Sequence, residues 1–142
     1  MSQIHIQMID NSISSDWWRN LVRHFVRMGD ELEIRCWKEE TAEIEQASLH
    51  GELAENKSEV SICGTVTDIF LSELLIEEPT DKNIYNKMTK YFTINIKNEK
   101  CDFCSEHYGT ELYIGRVNED DITFVSELLN HYCDCFSIYV AV

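Results

Sequence analysis

The residues of this chain best suited to chemistry are its six cysteines and five histidines. Four cysteines fall in two short groups, Cys101-x-x-Cys104 and Cys133-x-Cys135, with His107 and His131 near them. Four thiolates, or three and an imidazole, can enclose a tetrahedral Zn²⁺. The pattern places Cys101 and Cys104 in a loop between strands predicted at 91–97 and 111–117. A helix over 119–132 would then run back along the second strand and return His131, Cys133 and Cys135 to the same end. A C-x-x-C joined to a C-x-C is a looser set than two C-x-x-C knuckles. Zinc therefore stays an alternative, and no metal or other cofactor is expected of the chain. Its first residues, MSQIHIQMIDNS, carry neither a basic nor an apolar leader region, so the thiols are expected to stay reduced. Cys36 and Cys63 lie on predicted strands and read as small buried hydrophobes.

The same residue types could supply a nucleophile, Cys104 paired with His107 or His131. Nothing accompanies that pair. There is no Gly-rich phosphate loop, no H-E-x-x-H and no G-x-S-x-G. His5, His24 and His50 are scattered and read as structural side chains. Catalysis is not expected.

Carboxylates are the other chemical resource. The 142 residues hold 26 Asp and Glu against 12 Lys and Arg, a net charge of −14. Residues 1–29 sum to +1 and residues 82–142 to −3, whereas residues 30–81 hold fifteen acids and three bases, net −12. Such a concentration is either solvated surface or a patch shaped for a basic partner. The acids on which a partner-binding reading rests are Glu39, Glu40, Glu43, Glu45, Glu52, Glu55 and Glu59, with Glu77, Glu78 and Asp81 behind them. Trp37, closing a strand beside the run, is either their aromatic anchor or a core residue. The acidity argues against nucleic acid and anionic membrane as partners, and no apolar run approaches the roughly 18 residues of a membrane span.

The elements that must position these groups are legible to different degrees. Alternation predicts strands at 3–9, 30–37, 91–97, 111–117 and 135–142. Trp17, Trp18, Leu21, Val22, Phe25 and Met28 recur at helical spacing, predicting a helix over 16–28 stopped by Gly29. Arg19, Arg23 and Arg27 stand on another side of that helix, solvated or paired with the middle acids. Phe70-Leu71-Ser72-Glu73-Leu74-Leu75 is matched by Phe124-Val125-Ser126-Glu127-Leu128-Leu129, and each is preceded by Gly-x-Val at 64–66 and 115–117. Both copies read as strand, tight turn and helix, capped by Thr67 and Asn118. Asp81 can cap a short helix through Lys90. Residues 38–58 keep no clean period: either a helix, or a short strand at 43–48 with an exposed loop around 51–58. The sum is a single α+β domain, 1–142, with a mixed or mainly antiparallel sheet of about six strands and three to four helices.

Size, acidity, aromatic content and the paired strand–Gly-turn–helix units together resemble the immunity proteins of bacterial contact-dependent inhibition and related polymorphic toxin systems. That resemblance implies a cytoplasmic bacterial protein that binds one cognate cationic toxin, often a nuclease, and neutralises it without chemistry of its own. The alternative is a zinc-stabilised adaptor or subunit held by Cys101, Cys104, Cys133 and Cys135.

Overall fold

The architecture comes from a computed structural model that describes residues 2–10, 12–79, 86–132 and 134–142. In chain order the elements are β1 (Ser2–Met8), α1 (Asp16–Phe25), β2 (Glu31–Trp37), α2 (Thr41–Ala47), a 3₁₀ turn (Ser48–His50), β3 (Gly51–Glu55) and β4 (Glu59–Thr65). They continue as α3 (Asp68–Ile76), β5 (Thr93–Lys97), β6 (Asp102–Glu106), β7 (Glu111–Val117), α4 (Glu119–Asn130) and β8 (Phe136–Ala141). The strands form one antiparallel sheet of eight in the order β3-β4-β2-β5-β6-β7-β1-β8. The class is α+β, with two more strands than the sequence pattern announces.

Alternation sorts the sheet into two faces. Ile4, Ile6, Leu32, Ile34, Ile62, Ile94, Phe103, Leu112 and Ile114 point to one side and are buried with the helices. α1 supplies Trp17, Trp18, Leu21, Val22 and Phe25 to that core and lies against both α3 and α4. Each such large side chain, once buried, contributes roughly 1.5–3 kcal/mol of transfer free energy. Among the described residues no helix lies over the opposite face, which carries one continuous cross-strand row: Glu52, Cys63, Glu33, Asn95, Cys104, Tyr113, His5 and Tyr139.

The two repeated units are both strand, turn and helix. Thr67 accepts the Phe70 N–H at the start of α3. Asn118 and Asp121 form a reciprocal capping box at the start of α4, whose first turn holds Glu119, Asp120 and Asp121. Their glycines serve different needs. A Cβ on Gly64 would stand 2.0 Å from the His50 carbonyl oxygen, so β3 can pair with β4 only against a glycine. At Gly115 the nearest atom would be 3.6 Å away, an ordinary contact. The special position there is Arg116 (φ 59°), in a bulge of β7 against β1. Its guanidinium bonds both Asp102 oxygens and the carbonyls of Asn98, Glu99 and Cys101, which holds the β5–β6 turn in place.

The structure corrects some expectations and decides between others. The first helix ends at Phe25, because Val26 turns extended and buries itself, so neither Arg27 nor Met28 is helical and Gly29 is not its stop. The 101–104 segment is not a loop: it leads into and forms β6. Residues 38–58 resolve into a helix, a 3₁₀ turn and an edge strand. Of the helix predicted from Asp81, the portion up to Tyr85 lies outside the described residues, and 86–90 is a bend.

Candidate functional site

The acids singled out above do not share one face: Glu43, Glu77 and Glu78 meet in one pocket, and Glu40 joins a second cluster. The first is a pocket of about 340 Å³ between α2 and α3, lined by Glu43, Glu73, Glu77, Glu78 and Lys90, with Pro79 and Thr89 beside them. Four carboxylates against one ammonium leave it negative. Ion pairs partly tie its walls: Lys90 Nζ stands 2.6 Å from Glu73, and its other partner is Glu77. Arg19 pairs with Glu78 at 3.0 Å, while Arg23 and Arg27 bond an asparagine side chain and main-chain carbonyls instead.

The second place is an aromatic cluster at the end of the uncovered face. Trp37 packs on Phe92 (ring centroids 4.8 Å), and Phe92 packs edge-on to Tyr108 (5.2 Å) and His107 (5.7 Å). Trp37, Phe92 and Tyr108 are all half-buried, so Trp37 is neither a sealed core residue nor a free one. Lys87 lies 4.0 Å over the Tyr108 ring, a cation–π contact. Glu40 is committed internally, accepting the Trp37 N–H at 2.8 Å and the Tyr108 hydroxyl at 3.0 Å. Residues 87–92 link the two places, because Lys90 faces the pocket while Lys87 and Phe92 face the aromatic cluster.

The remaining predicted positions are spread outward. Glu39 and Glu45 are exposed around α2. Glu52 and Glu55 are exposed on edge strand β3, and half-buried Glu59 opens β4 opposite Trp37. Asp81 lies outside the described residues. A carboxylate missing from that set is Glu73, in the pocket wall. It takes His50 Nε2 at 2.6 Å, the Tyr91 hydroxyl and Lys90 together. Its place inside the repeated Ser-Glu-Leu-Leu was the available signal.

The cysteine grouping is not assembled. On strand β6 a three-residue spacing sends two side chains to opposite faces. Cys101 is buried under α1, its thiol 3.7 Å from the Phe25 carbonyl, whereas Cys104 faces the open side 3.6 Å from Glu106. Helix α4 starts beside Cys101 and carries the chain away from it. Cys135 consequently sits at the far end, beside Asp10, and Cys133 lies outside the described residues. Burial, reinforced by the Glu106 carboxylate, pushes the Cys104 thiol up to about 12. That opposes the thiolate which a Cys104–His107 nucleophile pair would require.

A larger groove of about 770 Å³ lies where 26–30, 97–101 and the start of α4 meet. Its polar groups largely satisfy one another, Asn98 donating to both the Phe25 carbonyl and Asp30. No helix among the described residues is long and apolar enough to cross a membrane. Comparison with family models, curated proteins and solved structures gives no match.

Proposed function

We propose that this chain is an acidic protein-binding inhibitor, an immunity protein that neutralises a cognate cationic toxin, a nuclease domain in the first instance. The observation that carries the reading is the convergence of Glu43, Glu73, Glu77 and Glu78 on one pocket next to the Trp37–Phe92–Tyr108 cluster. A pocket walled by carboxylates receives an arginine or lysine side chain, and half-buried aromatics beside it provide contact area that charge alone lacks. The exposed acids Glu39 and Glu45 flank the pocket around α2, and Glu52 and Glu55 extend the negative surface along edge strand β3; together they would steer a basic surface. A nuclease presents such a surface because it must hold phosphates. Neutralisation then requires only occlusion, in the bacterial cytoplasm, with no chemistry by the inhibitor.

The test is coexpression with a toxin domain encoded directly upstream of this gene. The intact chain should restore growth and bind the domain in a salt-sensitive manner. A Glu39→Lys, Glu43→Lys, Glu45→Lys variant replaces three charges around α2, each worth on the order of 1 kcal/mol in an interface. Affinity should fall about 100-fold and its dependence on salt should flatten, while the melting temperature moves by less than about 3 °C. Unchanged affinity in this variant overturns the reading.

A further inference from the structure

On the sheet face opposite the helical core, bordering the aromatic cluster, β6 and β7 place two carboxylates directly opposite each other, Glu106 facing Glu111 across an antiparallel pair. Like charges at such positions destabilise a sheet unless something positive lies between them. Two ring nitrogens approach the Glu111 member of the pair. His107 Nδ1 is 3.0 Å from one Glu111 oxygen, and His5 Nε2, reaching across from β1, is 2.7 Å from the other. Donor atoms of Glu106, His107 and Glu111 lie within 4.8 Å of one another.

From this we propose that Glu106, His107 and Glu111 form a binding site for a divalent transition ion of the zinc type, with His5 on the other Glu111 oxygen as a positioning residue. One imidazole with two carboxylates is a nitrogen–oxygen set that Zn²⁺ accepts, with bonds of about 2.0–2.2 Å and the fourth position open to water. Tetrahedral bonds of that length put ligand atoms about 3.4 Å apart. The group therefore has to contract by an ångström or so, and His107, with 59% of its side chain exposed, is free to turn. His5 is already aimed at Glu111, its ring lying flat on Tyr113 at 4.3 Å with 2° between the planes. Tyr113 also donates its hydroxyl to Glu111 at 3.1 Å, orienting that carboxylate as an outer partner of a metal ligand does. The left-handed backbone at His107, Tyr108 and Gly109 folds the hairpin so that residue 107 returns over its own strands. An ion here would staple the β6–β7 hairpin through three side chains, while His5 fastens Glu111 to β1. The site does not use Cys101 or Cys135, although the Cys104 thiol lies 3.6 Å from Glu106, and it borders the aromatic cluster through the His107–Phe92 contact.

The experiment uses the full chain without a histidine tag, stripped with a chelator and titrated with ZnCl₂ by calorimetry and by competition with a zinc dye. One ion per chain should bind with a dissociation constant on the order of micromolar. At a hundredfold excess over that constant the melting temperature should rise by roughly 5–10 °C. His107→Ala, at an exposed turn where folding is not at stake, should weaken binding at least tenfold, and Glu111→Gln likewise. Cys135→Ser should bind as the unaltered chain does. Absence of one-to-one binding, undiminished affinity in His107→Ala, or loss of binding in Cys135→Ser instead would each overturn the proposal.

Discussion

Truncating Glu73 to alanine exposes how much of the α2–α3 corner depends on one carboxylate. Glu73 and His50 have side chains only 8% and 3% exposed, and Tyr91 is fully buried. In Glu73→Ala the Tyr91 hydroxyl and the His50 imidazole lose the partner that took them out of water. A buried polar group left unpaired costs about 1–3 kcal/mol, so two of them cost about 4 kcal/mol. Lys90 adds little, because it is partly exposed and keeps Glu77. With an unfolding entropy near 2.1 cal/mol/K per residue, 142 residues give roughly 300 cal/mol/K, and the melting temperature should fall by about 13 °C. Glu73→Gln keeps an acceptor of the same shape and should lose about 1–2 kcal/mol. Urea unfolding followed by tryptophan fluorescence gives these values. A cycle with Tyr91→Phe should show at least 1 kcal/mol of coupling. A loss below 1 kcal/mol in Glu73→Ala, with strict additivity in the cycle, would refute the reasoning.

Two further outcomes follow from the open face and its margin. The Arg116 guanidinium bonded to Asp102 holds that carboxyl below its ordinary 3.8, although burial works the other way. A group with a depressed folded value adds stability above its unfolded value and loses it as pH falls through the folded one. Asp102→Asn should therefore flatten the decline of the urea midpoint between about pH 4 and 2, and an unaltered slope would contradict the pairing. Among Cys36, Cys63, Cys101 and Cys104, alkylation at pH 8 should modify exposed Cys63 first, as read by peptide mass spectrometry. Burial pushes Cys36 and Cys104 up to about 12 and Cys101 to about 11, so labelling of any of these ahead of Cys63 would be inconsistent with the fold.

The parts of the fold legible in the sequence are those whose own residues bury the surface that stabilises them. β1, β2 and β7 alternate cleanly because every second residue enters the core. β6 was illegible for a specific reason: its second inward position is Ser105, polar by type yet buried, because it accepts the Trp18 indole N–H at 3.2 Å. A hydroxyl required by a distant tryptophan hides the strand period. β3 was illegible because, at the sheet margin, it buries almost nothing. The first helix was read too long because Val26 is as apolar as the helix requires but goes into the core from extended backbone. As to the site, the acidic concentration was visible, but the pairing of Glu43 with Glu77 and Glu78 across a pocket is a tertiary fact. The His5–Glu111 contact spans 106 residues and leaves no trace in local spacing.

The position of β1 between β7 and β8 sets the order in which the chain can mature. Ile4, Ile6 and Met8 are synthesised before both of their hydrogen-bonded neighbours, with the rest of the sheet between them in the chain. Until then an apolar, unpaired strand has to wait, while β2 and β4 can already form their own ladder. Closing so long a loop is slow, so the last event in folding should be docking of the opening strand between the two closing ones. The interval before that event is when the nascent chain most needs a chaperone.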